Sequence, residues 1–524
     1  MKNIDPKTIT IKRALCPFCS FGCEFGIIFN DFGIKGVEYV KDGNSNGRLC
    51  PRGSAAAMYL DHPRRSTMPL KSGKAVVWSK MAKELRKVVG SPKSVAVTFD
   101  RNVTPEEYAA IVGFCDSVGI GYTASTYFEP EHNLRPFLEK PFAPADLDKA
   151  KIAFVLGDIF NQAPMSSRAI IEWKMKDKKN ELIAIDSLNT HTAGFASQFL
   201  RVNIGTEPLL LLALAQENLD GVDIAKVTGI DARVVKELSN KIKNSSKGVI
   251  FASLPFGHTY DPGLYAESLD RMHEFSGMKV VPFVEFAGYE GSQPFVSIME
   301  MVKRKKIKNL INFGELFPFY YPQLAGSLKG LNIYATSTLK HTDHTLLPVP
   351  LSLEKEGTVV TTFGKRKLTG NIEPPSGAKS VEAILSMLSS GSSTGKMPHA
   401  VEKKIDVKER ARRIAEITET KKKSFKLVGE KVAYNFLGFL EGEILKINPY
   451  DATELGIGAD DIVTIKSKYD AADLPVRITE DVDQGLLAAP AETPAVRGLF
   501  EYEIDSELQA VNFIPTEVKI CRKG

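Results

Sequence analysis

The sequence predicts an α/β protein in three parts: a cysteine-bearing β module in front, two α/β domains with largely parallel sheets, and a small β domain, read as a barrel, at the end. Three observations predict it. Four of the six cysteines lie in the first 50 residues. From about Val76 onward, apolar strand-like runs alternate with amphipathic helical stretches, the pattern of parallel α/β units. From residue 426 to the end, short strand-like runs follow one another with turn residues between them.

The elements follow in chain order. Residues 27–29 and 36–40 read as strands around the turn Asn30-Asp31-Phe32-Gly33, and a polar loop over 41–48 leads to the fourth cysteine. A strand at 95–99 precedes a helix at 105–118, where Tyr108, Ile111, Val112 and Cys115 share one face. A strand at 152–156 precedes a helix at 166–178, and strands follow at 182–185 and 199–202. Residues 248–252, 280–284, 309–313 and 331–336 are further buried-strand candidates. Residues 389–425 break the pattern: a Ser/Gly-rich run leads into a charged stretch, read as a linker or one solvated helix. Beyond it, strands are expected at 442–447, 462–466, 474–478 and 486–489. The expected parts are therefore 1–65, 66–388, a charged linker at 389–425, and 426–524.

Composition narrows the function. The 524 residues suffice for about three to five domains. With 43% hydrophobic and 25% charged residues, the chain is ordinary globular protein. A net charge of +5 gives no argument for nucleic acid. No run approaches the roughly 18 apolar residues of a membrane span. The first fifteen residues hold no secretory or twin-arginine signal, so a cytoplasmic protein is expected, with any membrane association made through a partner.

The chemistry sits in Cys16-x-x-Cys19-x-x-x-Cys23, followed after 26 residues by Cys50-Pro51-Arg52-Gly53. Three thiolates at close spacing and a distant fourth can each take one iron of a [4Fe–4S] cubane. A four-cysteine zinc site is the alternative, although zinc sites usually show two paired knuckles, and here the second half has one cysteine. Arg48 and Arg52 flank the fourth ligand, where cations offset a cluster's negative charge.

This cysteine pattern resembles the N-terminal [4Fe–4S] module of the molybdopterin (bis-guanine-dinucleotide) oxidoreductases, which include formate dehydrogenases, nitrate reductases and the large iron–sulfur subunit of respiratory complex I. Further runs resemble the family in order: Val155-Leu156-Gly157-Asp158, Ile185-Asp186-Ser187 with Thr190 and Thr192, Gly205-Thr206-Glu207, and Leu346-Leu347-Pro348 with Glu354-Lys355-Glu356-Gly357-Thr358. The run from Ile447-Asn448-Pro449 to Leu455-Gly456-Ile457 resembles the start of the family's C-terminal double-psi β-barrel. The resemblance implies a molybdopterin guanine dinucleotide held by Gly157, Asp186, Gly205, Thr206 and Glu207, with Arg52 between cluster and cleft.

The departures argue against a working metal site. Residues 119–132, where relatives present a metal ligand, contain no cysteine, and leave only Ser125, Glu129 and His132 as candidates. Cys115 reads as core. Leu188 stands for the family arginine, and Thr361, Phe363 and Lys365 stand for Asn, Glu and Arg of its late signature. The loss of charged partners weakens the hold on a polyanionic cofactor. The expected function is an electron-transfer subunit, similar to the complex I large subunit, with iron–sulfur or flavin subunits as partners. The alternative is an active molybdenum or tungsten oxidoreductase such as a formate dehydrogenase, with a non-cysteine metal ligand and His132 or His191 moving protons.

Overall fold

The computed structural model describes residues 9–523 except 64, 101, 127–132, 244–246, 285–291, 293–294, 315–325, 327, 329, 337–343, 389–404, 420–423, 432–443, 460, 492 and 509. At the front, Thr10–Leu15, Glu24–Asn30 and Gly33–Glu38 form an antiparallel three-stranded sheet. Its inner face, with Phe25 and Ile27 fully buried, packs against the short helix Ala56–Leu60 and the body. The strand Thr10–Leu15 lies outside the predicted elements, because its polar alternation gave no apolar run.

Two parallel sheets make the body. In the first, all parallel, the order is Gln198–Arg201, Glu181–Asp186, Ile152–Leu156, Gly248–Ala252, Lys279–Pro282. The chain starts at the centre, builds outward on one side and then returns to build the other. The switch point therefore falls between Ile152–Leu156 and Gly248–Ala252, and the crevice at such strand ends is where α/β sheets bind ligands. The second sheet places Thr345–Leu346, Asn332–Ala335, Asn309–Phe313, Val95–Phe99 and Thr123–Ser125 in parallel, with the small hairpin Leu70–Lys71 and Lys74–Ala75 on one edge. Its strands come from both sides of the first sheet in sequence. Central strands of both sheets are buried on both faces, as parallel sheets require.

The C-terminal part is a closed six-stranded barrel, in the order Phe425–Glu430, Leu486–Pro490, Leu445–Ile447, Ala471–Ile478, Ile462–Lys466, Thr516–Arg522. It sits over the carboxyl ends of the first sheet. Gly429 N donates to Phe256 O at 2.9 Å, and buried His258 Nε2 donates to Gly429 O at 2.6 Å. Burial pulls that imidazole down to about 4, so it is neutral in the interface. Asn189 N donates to Asp481 O on the barrel side at 2.8 Å.

The charged segment needs a correction. A helix does form, over Val407–Glu419, but it is not a solvated arm. Ala411, Ile414 and Ala415 are buried against Leu209, Leu212, Tyr260 and Leu264. Arg410 pairs with Asp261 at 3.0 Å and Asp505 at 2.7 Å, which ties the helix to both body and barrel. Its high charge sits on one face and hides an apolar stripe at helical spacing. Among the described residues, no helix is long and apolar enough to cross a membrane. Replacement of Ile414 by Ala is expected to cost about 2–4 kcal/mol of stability, read as a fall in denaturant midpoint, whereas a free linker would tolerate it.

Candidate functional site

The loop joining Thr10–Leu15 to Glu24–Asn30 carries three cysteines. Cys16 follows the first strand, Cys23 precedes the second, and Cys16 N donates to Cys23 O at 2.8 Å to close the loop. Asn44 braces it from the polar 41–48 loop: its side-chain amide donates to Phe21 O at 3.0 Å and Gly22 O at 2.9 Å, and accepts from Glu24 N. Cys50 arrives at the N-terminus of the short helix Pro51–Ser54. A Cβ on Gly53 would stand only 3.7 Å from Cys16 Sγ, so the fourth cysteine's turn abuts the loop.

All four thiols are buried. Burial pushes Cys16, Cys19 and Cys23 up, and their mutual charge, including that of Cys50, pushes them further. Arg52 acts in the opposite sense on all three. Its guanidinium is almost fully enclosed, at 1% exposure. It donates to Asn161 O at 3.0 Å and Gln162 O at 2.5 Å, its Nε has no partner, and no carboxylate among the described residues pairs with it. An enclosed cation without a counter-ion is costly, and anionic thiolates beside it remove that cost. Among the described residues, no three Cys, His, Asp or Glu groups close on a single ion.

A clasp and an aromatic belt fix this loop to the body. Ser20, fully buried, donates its N–H to Val284 O at 2.7 Å and accepts from Val284 N at its hydroxyl. Its hydroxyl meets Thr362 Oγ1 at 2.8 Å, and Thr362 N donates to Ser20 O at 2.7 Å. Gly22 allows close approach of the same turn, since a Cβ there would meet Thr361 Cγ2 at 2.8 Å. Phe21 stacks on Phe283 and meets Phe363 edge-on at 5.0 Å. Ser20, Thr362 and Asn44 were missed at the sequence level. A hydroxyl inside the cysteine loop was the available signal for Ser20, and nothing local marks a partner 342 residues away.

The residues expected to hold a dinucleotide lie along the carboxyl ends of the first sheet, from the switch point to the edge strand, but in different roles. Gly157 turns out of its strand under Ser253 and Pro255. Gly205 has φ +77°, and Tyr260 covers it so closely that a Cβ would lie 2.4 Å from the ring; only glycine fits. Thr206 commits its hydroxyl to Asn203 O at 2.6 Å. Asp186 and Glu207 are buried, and Oδ2 of one and Oε2 of the other have no partner; nor has Ser187 Oγ beside them. Burial pushes Asp186 up to about 7 and Glu207 up to about 8, and the nearby carboxyls Asp158 and Asp186 add to the respective shifts. Such orphaned acceptors fit a ligand edge that donates hydrogen bonds, as a nucleotide's base and ribose do.

The departures serve packing. Leu188 lies in an apolar cluster with Val428, Val482 and Ala488 of the barrel. Phe363 belongs to the aromatic belt. Two residues of the matching late run are instead paired: Glu354 forms a buried bidentate pair with Arg65, and Lys355 binds Glu107 at 2.8 Å. Cys115 faces the core, where burial pushes its thiol up to about 12. Ser125 is buried at the end of an edge strand, and His191 is exposed. Glu129 and His132 lie outside the described residues.

The candidate site thus comprises four buried cysteines at the front, buried groups with unmet acceptors at the carboxyl ends of the first sheet, and a closed barrel over those ends. Family models match both ends: the Molybdopterin oxidoreductase Fe4S4 domain over residues 9–62 and the Molydopterin dinucleotide binding domain over 424–514. Together the two matches support the molybdopterin oxidoreductase family, with a [4Fe–4S] domain matched in front and a dinucleotide-binding domain matched behind. The chain is similar to the alpha subunit of the F420-dependent formate dehydrogenase of Methanocaldococcus jannaschii, at 24% identity over 44% of this chain and 37% of that one. It is also similar to a subunit of the sulfite dehydrogenase of Allochromatium vinosum, at 25% identity over 40% of this chain and 24% of that one. These matches thus span well under half of either relative. The fold is shared with the acetylene hydratase of Pelobacter acetylenicus, with a TM-score of 0.72, 12% identity, and 98% and 100% of the two chains covered.

Two outcomes are expected. Thr362→Val is expected to leave the overall fold intact but loosen the cysteine loop, read as faster loss of iron to a chelator; Thr362→Ser is expected to restore it. Asp186 is raised from its ordinary 3.8 to about 7 and Glu207 from 4.5 to about 8. A carboxyl raised on folding contributes stability that is present at low pH and lost as pH rises through the folded value. The unliganded chain is therefore expected to lose stability between about pH 4 and 8, and Asp186→Asn to recover up to about 4 kcal/mol at the upper end, measured by denaturant unfolding.

Proposed function

We propose that this chain is the iron–sulfur electron-transfer subunit of an oxidoreductase complex, in which Cys16, Cys19, Cys23 and Cys50 each give one thiolate to a [4Fe–4S] cluster. The observation that carries the reading is the enclosure of four thiols in one buried space beside Arg52, a cation that no carboxylate among the described residues neutralises. The cluster's net negative charge supplies the counter-ion. The carbonyls of Asn161 and Gln162 aim the guanidinium, and the aromatic belt keeps water off the sulfur atoms, which are the terms that tune such a cluster.

A molybdopterin guanine dinucleotide, when bound, supplies a redox-active pterin. Asp186, Ser187 and Glu207 are the residues with unmet acceptors to hold its nucleotide edge. Against an active metal centre stand the apolar roles of Leu188 and Phe363 and the core position of Cys115. The reading is therefore of a body that retains a nucleotide cleft and passes electrons, similar to the complex I large subunit. The similarity to proteins named as dehydrogenase subunits supports partner chains, and we infer that these carry iron–sulfur or flavin groups.

Metal analysis of the anaerobically purified chain tests this. About four iron per chain, an EPR signal on one-electron reduction, and loss of both in Cys50→Ser are expected. Zinc without iron would defeat the assignment. Stoichiometric molybdenum or tungsten with a pterin would replace it with the active-enzyme reading.

A further inference from the structure

We propose that Asp158 and Thr192 are positioning residues for the cluster: through the turn Ile159–Gln162 they hold the Arg52 guanidinium beside the cysteine sulfurs and so set the cluster's reduction potential. This rests on the reading that the four cysteines hold a cluster, and it deepens that reading by naming what controls the potential from within the α/β body.

Arg52 is tied to the cysteines on one side and to the body on the other. It follows Cys50 and Pro51 in the short helix Pro51–Ser54. The same turn abuts the cysteine loop, where a Cβ on Gly53 would stand 3.7 Å from Cys16 Sγ. On the body side, its Nη2 donates to two carbonyls of one turn, Asn161 O at 3.0 Å and Gln162 O at 2.5 Å. Where those carbonyls stand decides where the guanidinium stands.

That turn is too short to hold itself. Ile159–Gln162 is a helix of 4 residues, and its own hydrogen bonds do not repay the ordering of its backbone. Asp158 occupies its N-cap position, yet the Asp158 side chain caps no backbone N–H. Thr192 does so in its place. Phe160 N donates to Thr192 Oγ1 at 3.1 Å, and the same hydroxyl donates to Asp158 Oδ1 at 2.6 Å. Asp158 Oδ2 accepts from the side-chain amide of Asn161 at 2.6 Å. The Asp158 carbonyl accepts from Asn161 N at 3.2 Å and Gln162 N at 2.9 Å. Asp158 therefore grips, by side chain and by backbone, the two residues whose carbonyls hold Arg52. Register pairs Leu156 with Ile185, and Gly157 N donates to Ile185 O at 3.1 Å, which brings the turn beside the loop that carries Thr192.

Asp158 is committed to this task and not to the crevice. Both its carboxylate oxygens are engaged by donors, whereas Asp186 and Glu207 each keep one unmet. The sign of the effect follows from charge. A reduced cluster carries one more negative charge than an oxidised one, and an enclosed cation beside it favours the reduced form. A guanidinium that swings away from the sulfurs favours it less, so a loosened turn lowers the potential. One electron enters from a one-electron redox partner and later leaves; the turn itself exchanges neither electron nor proton.

Potentiometric titration of the full chain carrying its cluster, followed by the EPR of the reduced state, tests this. Thr192→Val and Asn161→Ala both keep the two carbonyls and change no charge. Each is expected to lower the midpoint, while Thr192→Ser, which keeps the hydroxyl, is expected to retain the wild-type value. Arg52→Gln is expected to lower the midpoint further, and adding Thr192→Val to it to cause no additional fall. Thr516→Val, which removes an equally buried hydroxyl with two hydrogen bonds in the barrel, is expected to keep the wild-type midpoint. A wild-type midpoint in both Thr192→Val and Asn161→Ala overturns the proposal, as does an undiminished fall when Thr192→Val is added to Arg52→Gln. If Thr192→Val does not fold, Asn161→Ala, at a half-buried position of the turn, decides it by the same two measurements. A wild-type chain without iron or an EPR signal refutes instead the cluster reading beneath it.

Discussion

Charge confined in a dry interior is the constraint on which the structure turns. Four thiols share one enclosed space, and burial alone drives three of them toward the neutral form. Arg52 opposes this, and it can do so because its partners are the carbonyls of Asn161 and Gln162 and not a carboxylate. A salt bridge there would cancel the field that the thiolates need. The cysteine module therefore depends on a turn of the first α/β sheet more than 100 residues away, and neither part is complete without the other.

The same economy of charge governs the rest of the body. Where two charges must be buried near the cysteine loop they come as closed pairs, Arg65 with Glu354 and Lys355 with Glu107, so that no net field is left. Two buried carboxyls with an unmet oxygen, Asp186 and Glu207, lie at the carboxyl ends of the first sheet, with the unmet hydroxyl of Ser187 next to the first. The barrel is joined there by His258, Leu188 and Asn189, a mix of one neutral imidazole, apolar contact and backbone hydrogen bonds, and at the rim by the ion pair of Arg201 with Asp483.

Much of the fold was legible in the sequence, because buried parallel strands leave continuous apolar runs. The strands at 95–99, 152–156, 248–252 and 309–313 lie where periodicity put them. Edge and barrel strands were harder. Thr10–Leu15 alternates too weakly, Thr516–Arg522 carries three charged residues, and Phe425–Glu430 is separated from a lysine run by only Ser424. The helix Val407–Glu419 misled for a related reason: eight charged or polar positions conceal the few alanines and isoleucines that reach the core. In the site, the cysteines were visible from spacing, but the turn at Thr361–Phe363 was not, because its role depends on which loop it touches.

By itself, the sequence singled out Cys16, Cys19, Cys23 and Cys50 as the set proposed to hold a compact inorganic centre, since ligand chemistry depends on residue type and short spacing. It also determined the α/β class, since burial on both faces writes apolar runs into the chain. Only the tertiary structure decided that Ser20 is clasped to Thr362, that Arg52 stands without a carboxylate, and that Asp186 and Glu207 end as an acidic pair in the interior. Each of these rests on contacts between segments distant in sequence, and the strength of a charge or a hydrogen bond is set by how much water the fold leaves beside it.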